Sequence, residues 1–174
     1  MKTELKAKFL QHLLGKKKED EGFTLIELLV VIIIIGILSA IALPSFLNQA
    51  AKAKQTEAQT FIGAVNRAQQ THRIENISFA SDIGLLQVNL PTQTDSYQYV
   101  ISSPSQATAT TSTASPVSSE SNTLRAYSGG VFVISANGQT SSAACMTTAP
   151  AASAAVPVVS GTAVSCGTAT VIMK

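Results

Sequence analysis

The longest uninterrupted apolar stretch of the chain runs from Leu28 to Leu47 and contains no charged residue. As a helix, a stretch of this length would extend about 30 Å, which matches the hydrocarbon thickness of a bilayer. The stretch is too long for a buried strand, and a soluble core helix would carry a polar face. The pattern therefore predicts a membrane-spanning helix.

Beyond Pro44 the helical period continues, but one face becomes polar. Apolar residues recur at spacings of three and four, and Lys, Arg, Gln and Asn lie between them. The apolar positions are Ala50, Ala53, Ala58, Phe61, Ile62, Val65 and Ala68, and the polar positions include Gln55, Gln59, Asn66 and Arg67. This pattern predicts one continuous helix from Phe23 to about Arg73, whose second half packs on a globular domain.

The rest of the chain predicts a small antiparallel sheet. A break between Ser78 and Pro91 includes a short helix capped by Ser81, and strand-like runs follow. The predicted strands are Tyr97–Ser102, Leu124–Tyr127, Val131–Ser135, Val156–Val159 and Thr168–Ile172. Gly129-Gly130 is typical of a hairpin turn, and the Ser/Thr-rich stretch from Ser103 to Asn122 is typical of a surface loop. The predicted fold class is α+β, with one long helix packed on a small antiparallel sheet.

Charge divides the chain at residue 22. Residues 1–22 contain six lysines and four acidic residues, whereas residues 23–174 contain six charges of each sign. Lysines that precede an apolar span tend to stay on the cytoplasmic side. The C-terminal region is therefore predicted to lie outside the cytoplasm, and it lacks the dense Lys/Arg surface of a nucleic-acid-binding protein.

A conventional signal peptide is the alternative interpretation of the apolar stretch. Signal peptides have a shorter apolar region, and a small-residue cleavage site lies on its far side. Ser39 to Ala42 would supply such small residues. Cleavage near Ala42 is therefore a competing prediction.

The segment Gly22-Phe23-Thr24-Leu25-Ile26-Glu27 resembles the leader junction of the type IV pilin family, which includes the type II secretion pseudopilins. The resemblance extends over the apolar helix through Pro44. It implies a cytoplasmic leader, residues 1–22, that a prepilin peptidase removes by cutting between Gly22 and Phe23. The same enzyme would then N-methylate the new amine of Phe23. The mature chain would contain a transmembrane and filament-core segment, residues 23–47, and a globular head, residues 48–174.

Glu27 is the one charged residue between Phe23 and Ala51. A carboxylate costs about 2.5–3.5 kcal/mol at the centre of a membrane helix, and less near its end. The nearest available cation is the Phe23 amine, which exists only after cleavage. The resemblance implies that Glu27 of one subunit faces the Phe23 amine of its neighbour during subunit assembly. The simpler alternative is a carboxylate that extends to the lipid headgroups.

Cys145 and Cys166 are the only cysteines, and an exported region favours a disulfide between them. Two unpaired thiols are the alternative. The two cysteines and the two histidines, His12 and His72, lack the spacing of a zinc site. The sequence has no phosphate-binding loop and no nucleophile elbow. We therefore expect no enzyme activity, no metal and no cofactor.

The predicted function is that of a structural subunit of a type IV pilus that serves adhesion, twitching motility or DNA uptake. The resemblance implies several partners: further copies of the chain, the prepilin peptidase and N-methyltransferase, and the pilus assembly platform and secretin with their assembly and retraction ATPases. The precursor would be a single-pass protein of the inner membrane, and the assembled filament would be extracellular. Contact with a surface, or with DNA through lysines such as Lys174, is a further expectation. The alternatives are a type II secretion pseudopilin and a membrane-anchored binding protein that does not polymerise.

Overall fold

The computed structural model describes residues 23–134, 138–160, 163–167 and 170–173, together with Lys8 and Gln11. The chain forms two compact units, which divide between Phe46 and Leu47. Helix α1 (Leu25–Asn76) passes through this boundary, and a short 3-10 helix (Gly84–Leu86) follows it. The strands in the described ranges are β1 (Tyr97–Ser105), β2 (Ala109–Pro116), β3 (Tyr127–Val133), β4 (Thr140–Thr147), β5 (Val158–Ser160), β6 (Ala163–Ser165) and β7 (Thr170–Ile172).

The predicted α+β class is confirmed. Helix α1 has 52 residues and continues through Pro44, as the apolar and amphipathic periods together predict. Five strands form an antiparallel sheet in the order β1-β2-β3-β4-β7, and β5 and β6 form a separate antiparallel pair. The long helix and the five-stranded sheet are therefore the two main elements of the fold.

Helix α1 ends with a residue in an unusual conformation. The amide of Ile77 donates to the carbonyl of Arg73 at 2.9 Å, and Ile77 has a φ of 57°. For a residue with a Cβ, this left-handed conformation costs about 1–2 kcal/mol, and the conformation is rarest for β-branched side chains such as isoleucine. The Ile77 side chain is 79% exposed, so burial within the chain does not offset this cost.

The hydrophobic core lies between the second half of α1 and the sheet. Ala58, Ile62 and Val65 are buried on the helix, and Tyr97 and Tyr127 are buried on the strands. The rings of Phe61 and Tyr99 stack with centroids 3.6 Å apart. Burial raises the pKa of Tyr99 to about 12 and also raises the pKa of Tyr97 and of Tyr127. These hydroxyls therefore stay protonated at physiological pH.

Polar side chains also enter the face of α1 that packs on the sheet. The expectation that Asn66 lies on the polar face of the helix is wrong, because Asn66 is buried and donates to the carbonyl of Ala143 at 3.1 Å. Gln69 is also buried and exchanges two 2.9 Å hydrogen bonds with the backbone of Ala80. Hydrogen bonds to backbone groups offset the cost of burying these amides.

The prediction of a surface loop from Ser103 to Asn122 is wrong over most of its length. Strand β1 continues to Ser105, and β2 lies in the interior of the sheet, paired with both β1 and β3. Thr110 and Thr111 of β2 are buried, and the Thr111 hydroxyl donates to the carbonyl of Ser102 at 3.1 Å. Pairing on both edges satisfies the backbone of β2, and hydroxyl contacts replace the large apolar side chains that usually identify an interior strand.

The hairpin predicted at Gly129-Gly130 is also wrong, because both glycines lie inside β3 and are buried. A Cβ at Gly129 would lie 2.7 Å from Asn66 Oδ1 and 2.7 Å from Ile62 Cγ2. A Cβ at Gly130 would lie 2.6 Å from the Phe132 ring. Side chains of α1 crowd Gly129, and the Phe132 ring of the same strand crowds Gly130, so glycine fits at both positions and the two residues form no turn.

The other strand predictions are confirmed in part. Of Leu124–Tyr127 only Tyr127 belongs to a strand, and the prediction at Val156–Val159 shifts to β5. The prediction at Val131–Ser135 overlaps β3 from Val131 to Val133, and β3 begins earlier, at Tyr127. The prediction at Thr168–Ile172 coincides with β7 over its described residues, whereas Ser135, Thr168 and Ala169 lie outside the described residues. Strand β4 was not predicted because Ser, Thr and Ala dominate it. The prediction that Ser81 caps the short helix is wrong. The Asp82 carboxylate accepts the hydrogen bond from the Gly84 amide at 2.7 Å, and the residue at the N-cap is Ile83.

The predicted disulfide is confirmed. Cys145 of β4 is buried and bonds to Cys166, with the two Cα atoms 5.8 Å apart. Hydrogen bonds also hold the enclosed segment, since the Ser128 hydroxyl donates to the carbonyl of Ala155 at 2.7 Å and the Ala151 amide donates to the carbonyl of Leu124 at 3.2 Å. The disulfide and these two bonds therefore tie the segment to the rest of the head at three points.

Replacing both cysteines by serine is expected to lower the free energy of unfolding by about 3 kcal/mol, because the unfolded chain regains the entropy of a loop of about 20 residues. Denaturant unfolding of the full chain in detergent measures this change. Reduction should lower the denaturant midpoint of unfolding of the wild type and should leave the midpoint of the double variant unchanged. Equal unfolding midpoints for the oxidised wild type and the double variant would contradict the prediction.

Candidate functional site

The N-terminus of α1 is formed by Thr24 and Glu27. The Thr24 hydroxyl accepts a hydrogen bond from the Glu27 amide at 3.3 Å, and Glu27 Oε2 accepts one from the Thr24 amide at 2.9 Å. The same carboxylate oxygen accepts a third bond from the Thr24 hydroxyl at 2.8 Å. This reciprocal arrangement is a capping box, in which two otherwise unpaired backbone amides at the helix start are satisfied.

The role of Thr24 is not among the sequence predictions. The predicted partner of the Glu27 carboxylate is the Phe23 amine, and the structure also gives Glu27 two polar partners on Thr24. The spacing Thr-x-x-Glu before an apolar run is the signature of a capping box and could have predicted this contact.

Phe23 lies before the first turn of α1, and its side chain is 79% exposed. The first helical hydrogen bond runs from the Leu28 amide to the carbonyl of Thr24 at 3.3 Å. The backbone of Phe23 therefore belongs to the segment that leads into the helix. Gly22, the other residue of the predicted cleavage site, lies outside the described residues.

The first half of α1 presents apolar side chains on every side. From Leu25 to Leu47 its large apolar side chains are all exposed in the isolated chain. The most apolar 18-residue window of the helix has a mean hydropathy of 3.0 and no buried residue. By length and composition, α1 is able to cross a membrane. A surface of this kind requires lipid or protein around it, because water would solvate it poorly.

Among the described residues outside the start of α1, few side chains are suited to a metal-binding or acid–base site. They contain no group of three or more His, Cys, Asp or Glu side chains that could hold a metal ion. The Nδ1 atom of His72 lies 2.9 Å from the carbonyl of Ser78, which gives this histidine a structural contact. His12 lies outside the described residues. The start of α1 is therefore the best candidate for a functional site.

Comparison with known protein families gives two matches. The family described as type IV pilin-like G and H matches residues 55–167. The prokaryotic N-terminal methylation motif matches residues 17–43, which include the capping box and most of the apolar half of α1.

Curated relatives include pilins and a secretion-system protein. The chain is 42% identical over 86 residues to the type IV major pilin protein PilA of Myxococcus xanthus, covering 48% of this chain and 37% of that protein. It is 35% identical over 66 residues to the type II secretion system core protein G of Pseudomonas aeruginosa, covering 38% of this chain and 46% of that protein. It is 47% identical over 61 residues to the fimbrial protein of Moraxella nonliquefaciens, covering 35% of this chain and 40% of that protein. Each match spans less than half the length of the relative.

Proposed function

The chain belongs to the type IV pilin-like G and H family, and on this premise we propose that it is the structural subunit of a type IV pilus. Its relatives are named as pilins, a fimbrial protein and a secretion-system core protein, and none of these names describes an enzyme. In this proposal the chain acts by polymerising, and the filament serves adhesion, twitching motility or DNA uptake.

The observation that carries the proposal is Glu27 at the start of the apolar first half of α1, whose large side chains are exposed in the isolated chain. Within the described residues from Phe23 to Ala51 no side chain can neutralise this carboxylate, because none of them is cationic. Cleavage between Gly22 and Phe23 creates an amine close to it in sequence. A buried carboxylate is tolerated when it is paired, and pairing with the Phe23 amine of a neighbouring copy would fix the position of one subunit against the next.

We propose three segments with different fates. A prepilin peptidase removes the leader, residues 1–22, and N-methylates Phe23. Residues 23–47 hold the precursor in the inner membrane and then form the core of the filament. Residues 48–174 form the head that the extracellular filament displays. An assembly platform and a secretin, driven by assembly and retraction ATPases, would move the subunit between these locations.

A second candidate function is that of a type II secretion pseudopilin. The similarity to the type II secretion system core protein G of Pseudomonas aeruginosa favours it. The disulfide fits either assignment, because disulfides form and persist both outside the cell and in the bacterial periplasm. The greater coverage of this chain by the major pilin of Myxococcus xanthus favours the pilin.

Filaments sheared from intact cells provide the test. We expect them to contain the chain in abundance, starting at Phe23 and carrying one additional methyl group on its amine, as read by mass spectrometry of the N-terminal peptide. Filaments restricted to the periplasm would favour the pseudopilin. An intact leader, or a first residue near Ala42, would contradict both assignments.

A further inference from the structure

The outward side of α1 in the head carries two flanks of opposite charge. At about 100° per residue, Lys52, Arg67 and Ile74 fall within an arc of about 60°, which we call the basic flank. Glu57, Ala64 and Glu75 fall within an arc of about 20°, centred about 100° from the first, which we call the acidic flank. The buried residues Ala58, Ile62 and Val65 lie on the far side of the helix, so both flanks border its solvent-facing side.

The charges of these flanks have no ionic partners within the described chain. The one ion pair among the described residues joins Lys54 to Glu120, at 2.7 Å. Arg67 and Glu57 are both exposed, and the only side-chain bond to the Glu57 carboxylate is a 3.5 Å contact from the Tyr99 hydroxyl. Arg67 and Glu57 are therefore available to another molecule.

Each flank also carries an apolar feature. Ile74 of the basic flank lies in the last turn of α1, and its side chain is 82% exposed. The acidic flank borders a groove of about 350 Å³, which is lined by Thr56, Glu57, Thr60, Phe61, Ala64, Leu90 and Pro91. One flank thus offers a projecting side chain and the other an apolar depression.

The two flanks have matching spacings along the helix. Arg67 and Ile74 are seven residues apart, and so are Glu57 and Ala64. Two copies of α1 that pack side by side in the same direction could therefore bring Arg67 to Glu57 and Ile74 to the groove at the same offset. Two different surfaces of one chain that fit each other make a heterologous contact, which continues from copy to copy and does not close into a dimer.

We propose that the basic flank of one head docks on the acidic flank and its groove in a second copy of this chain. This inference rests on the proposed function, since a filament of parallel copies requires a contact of this open-ended kind. The β1 edge of the sheet is less suited to the role. Thr94 and Thr92 already pair with Tyr97 and Tyr99 on the free edge of β1, and the Phe79 amide donates to the carbonyl of Gln106 at its other end.

Charge reversal in the full chain tests the contact. We expect Arg67→Glu alone, or Glu57→Arg alone, to reduce the yield of sheared filaments at least about tenfold, because like charges would then face each other. The double variant Arg67→Glu/Glu57→Arg restores opposite charges and should return the yield to within about twofold of the wild type. Asp95→Arg is the matched control, because this exposed acid lies in neither flank.

The abundance of processed subunit in the membrane shows that each variant is made and folded. Wild-type cells without filaments would refute the proposed function, whereas wild-type filaments with undiminished single variants would refute only the docking contact. A double variant no better than the single variants would also refute it. So would single variants that keep their filaments but lose a second protein from them, since the occupant would then be a different partner.

A second variant tests the apolar part of the contact. Ile74→Gln removes an exposed side chain and introduces a good helix former, so the thermal stability of the chain should not fall. The filament yield should fall at least about threefold, because the groove of the neighbouring copy loses its occupant. An unchanged yield would contradict the role of Ile74.

Discussion

Replacing Gly129 by valine is expected to lower the free energy of unfolding of the head by about 3 kcal/mol or more, because overpacking at this position leaves no room for relaxation. The first added carbon would already lie 2.7 Å from both Asn66 Oδ1 and Ile62 Cγ2, and 2.9 Å from the Ser112 hydroxyl. Relief of this clash would move α1 away from the sheet and break the hydrogen bond of the buried Asn66 amide to Ala143.

A control for this variant lies in helix α1, which packs against Gly129. Gly63 has no atom within 4 Å of the position that a Cβ would occupy. Gly63→Ala should therefore raise the free energy of unfolding by about 0.5–1 kcal/mol, as glycine does when it is replaced by alanine in a helix interior. Thermal or denaturant unfolding of the three proteins in one detergent gives the comparison. Equal midpoints for the wild type and Gly129→Val would show that the close approach is not required.

Glu27→Ala is expected to reduce the yield of surface filaments on the order of a hundredfold. In the proposed filament Glu27 pairs with the Phe23 amine of a neighbouring copy, and removing one member of a buried charged pair leaves the other uncompensated. Leader removal should continue, since Gly22 and Phe23 are unchanged. The measurement compares sheared filaments with the processed subunit that remains in the membrane.

Variants of Thr24 separate the cap from the charge. Thr24→Ala should destabilise only the first turn of α1, by about 1 kcal/mol, and should reduce filaments far less than Glu27→Ala does. Thr24→Ser retains the hydroxyl and should behave as the wild type. Filaments of normal abundance from Glu27→Ala would remove the carboxylate from the assembly mechanism. If Thr24→Ala and Glu27→Ala gave equal losses, the carboxylate would act only through the cap.

The helix and the disulfide were predictable because their signals are local or simple. A twenty-residue apolar run followed by a period near 3.6 identified α1 to within three residues of each end. The two cysteines allow only one intramolecular pair. The resemblance at Gly22 to Glu27 led to the correct family. The same segment contains the Thr-x-x-Glu spacing from which the Thr24 cap could have been predicted.

The sheet was harder to predict because its strands carry few large apolar residues. Strands β2 and β4 consist mainly of Ser, Thr and Ala, so neither hydrophobicity nor alternation separates them from a loop. Their burial depends on contacts that are distant in sequence, such as the bond from Asn66 to Ala143. Gly129 was interpreted as a turn because the sequence does not reveal how close the helix lies. Side-chain atoms of α1 lie within 3 Å of the position that a Cβ of residue 129 would occupy.

The reciprocal bonds between Thr24 and Glu27 have a consequence for the proposed move of a subunit from the membrane into a filament. The Glu27 carboxylate accepts two hydrogen bonds within its own chain, so it has polar partners even where no amine of a neighbouring copy is present. In the proposed assembly, a subunit that joins a filament would exchange one set of polar contacts for another, which would lower the desolvation cost of entry and of release alike.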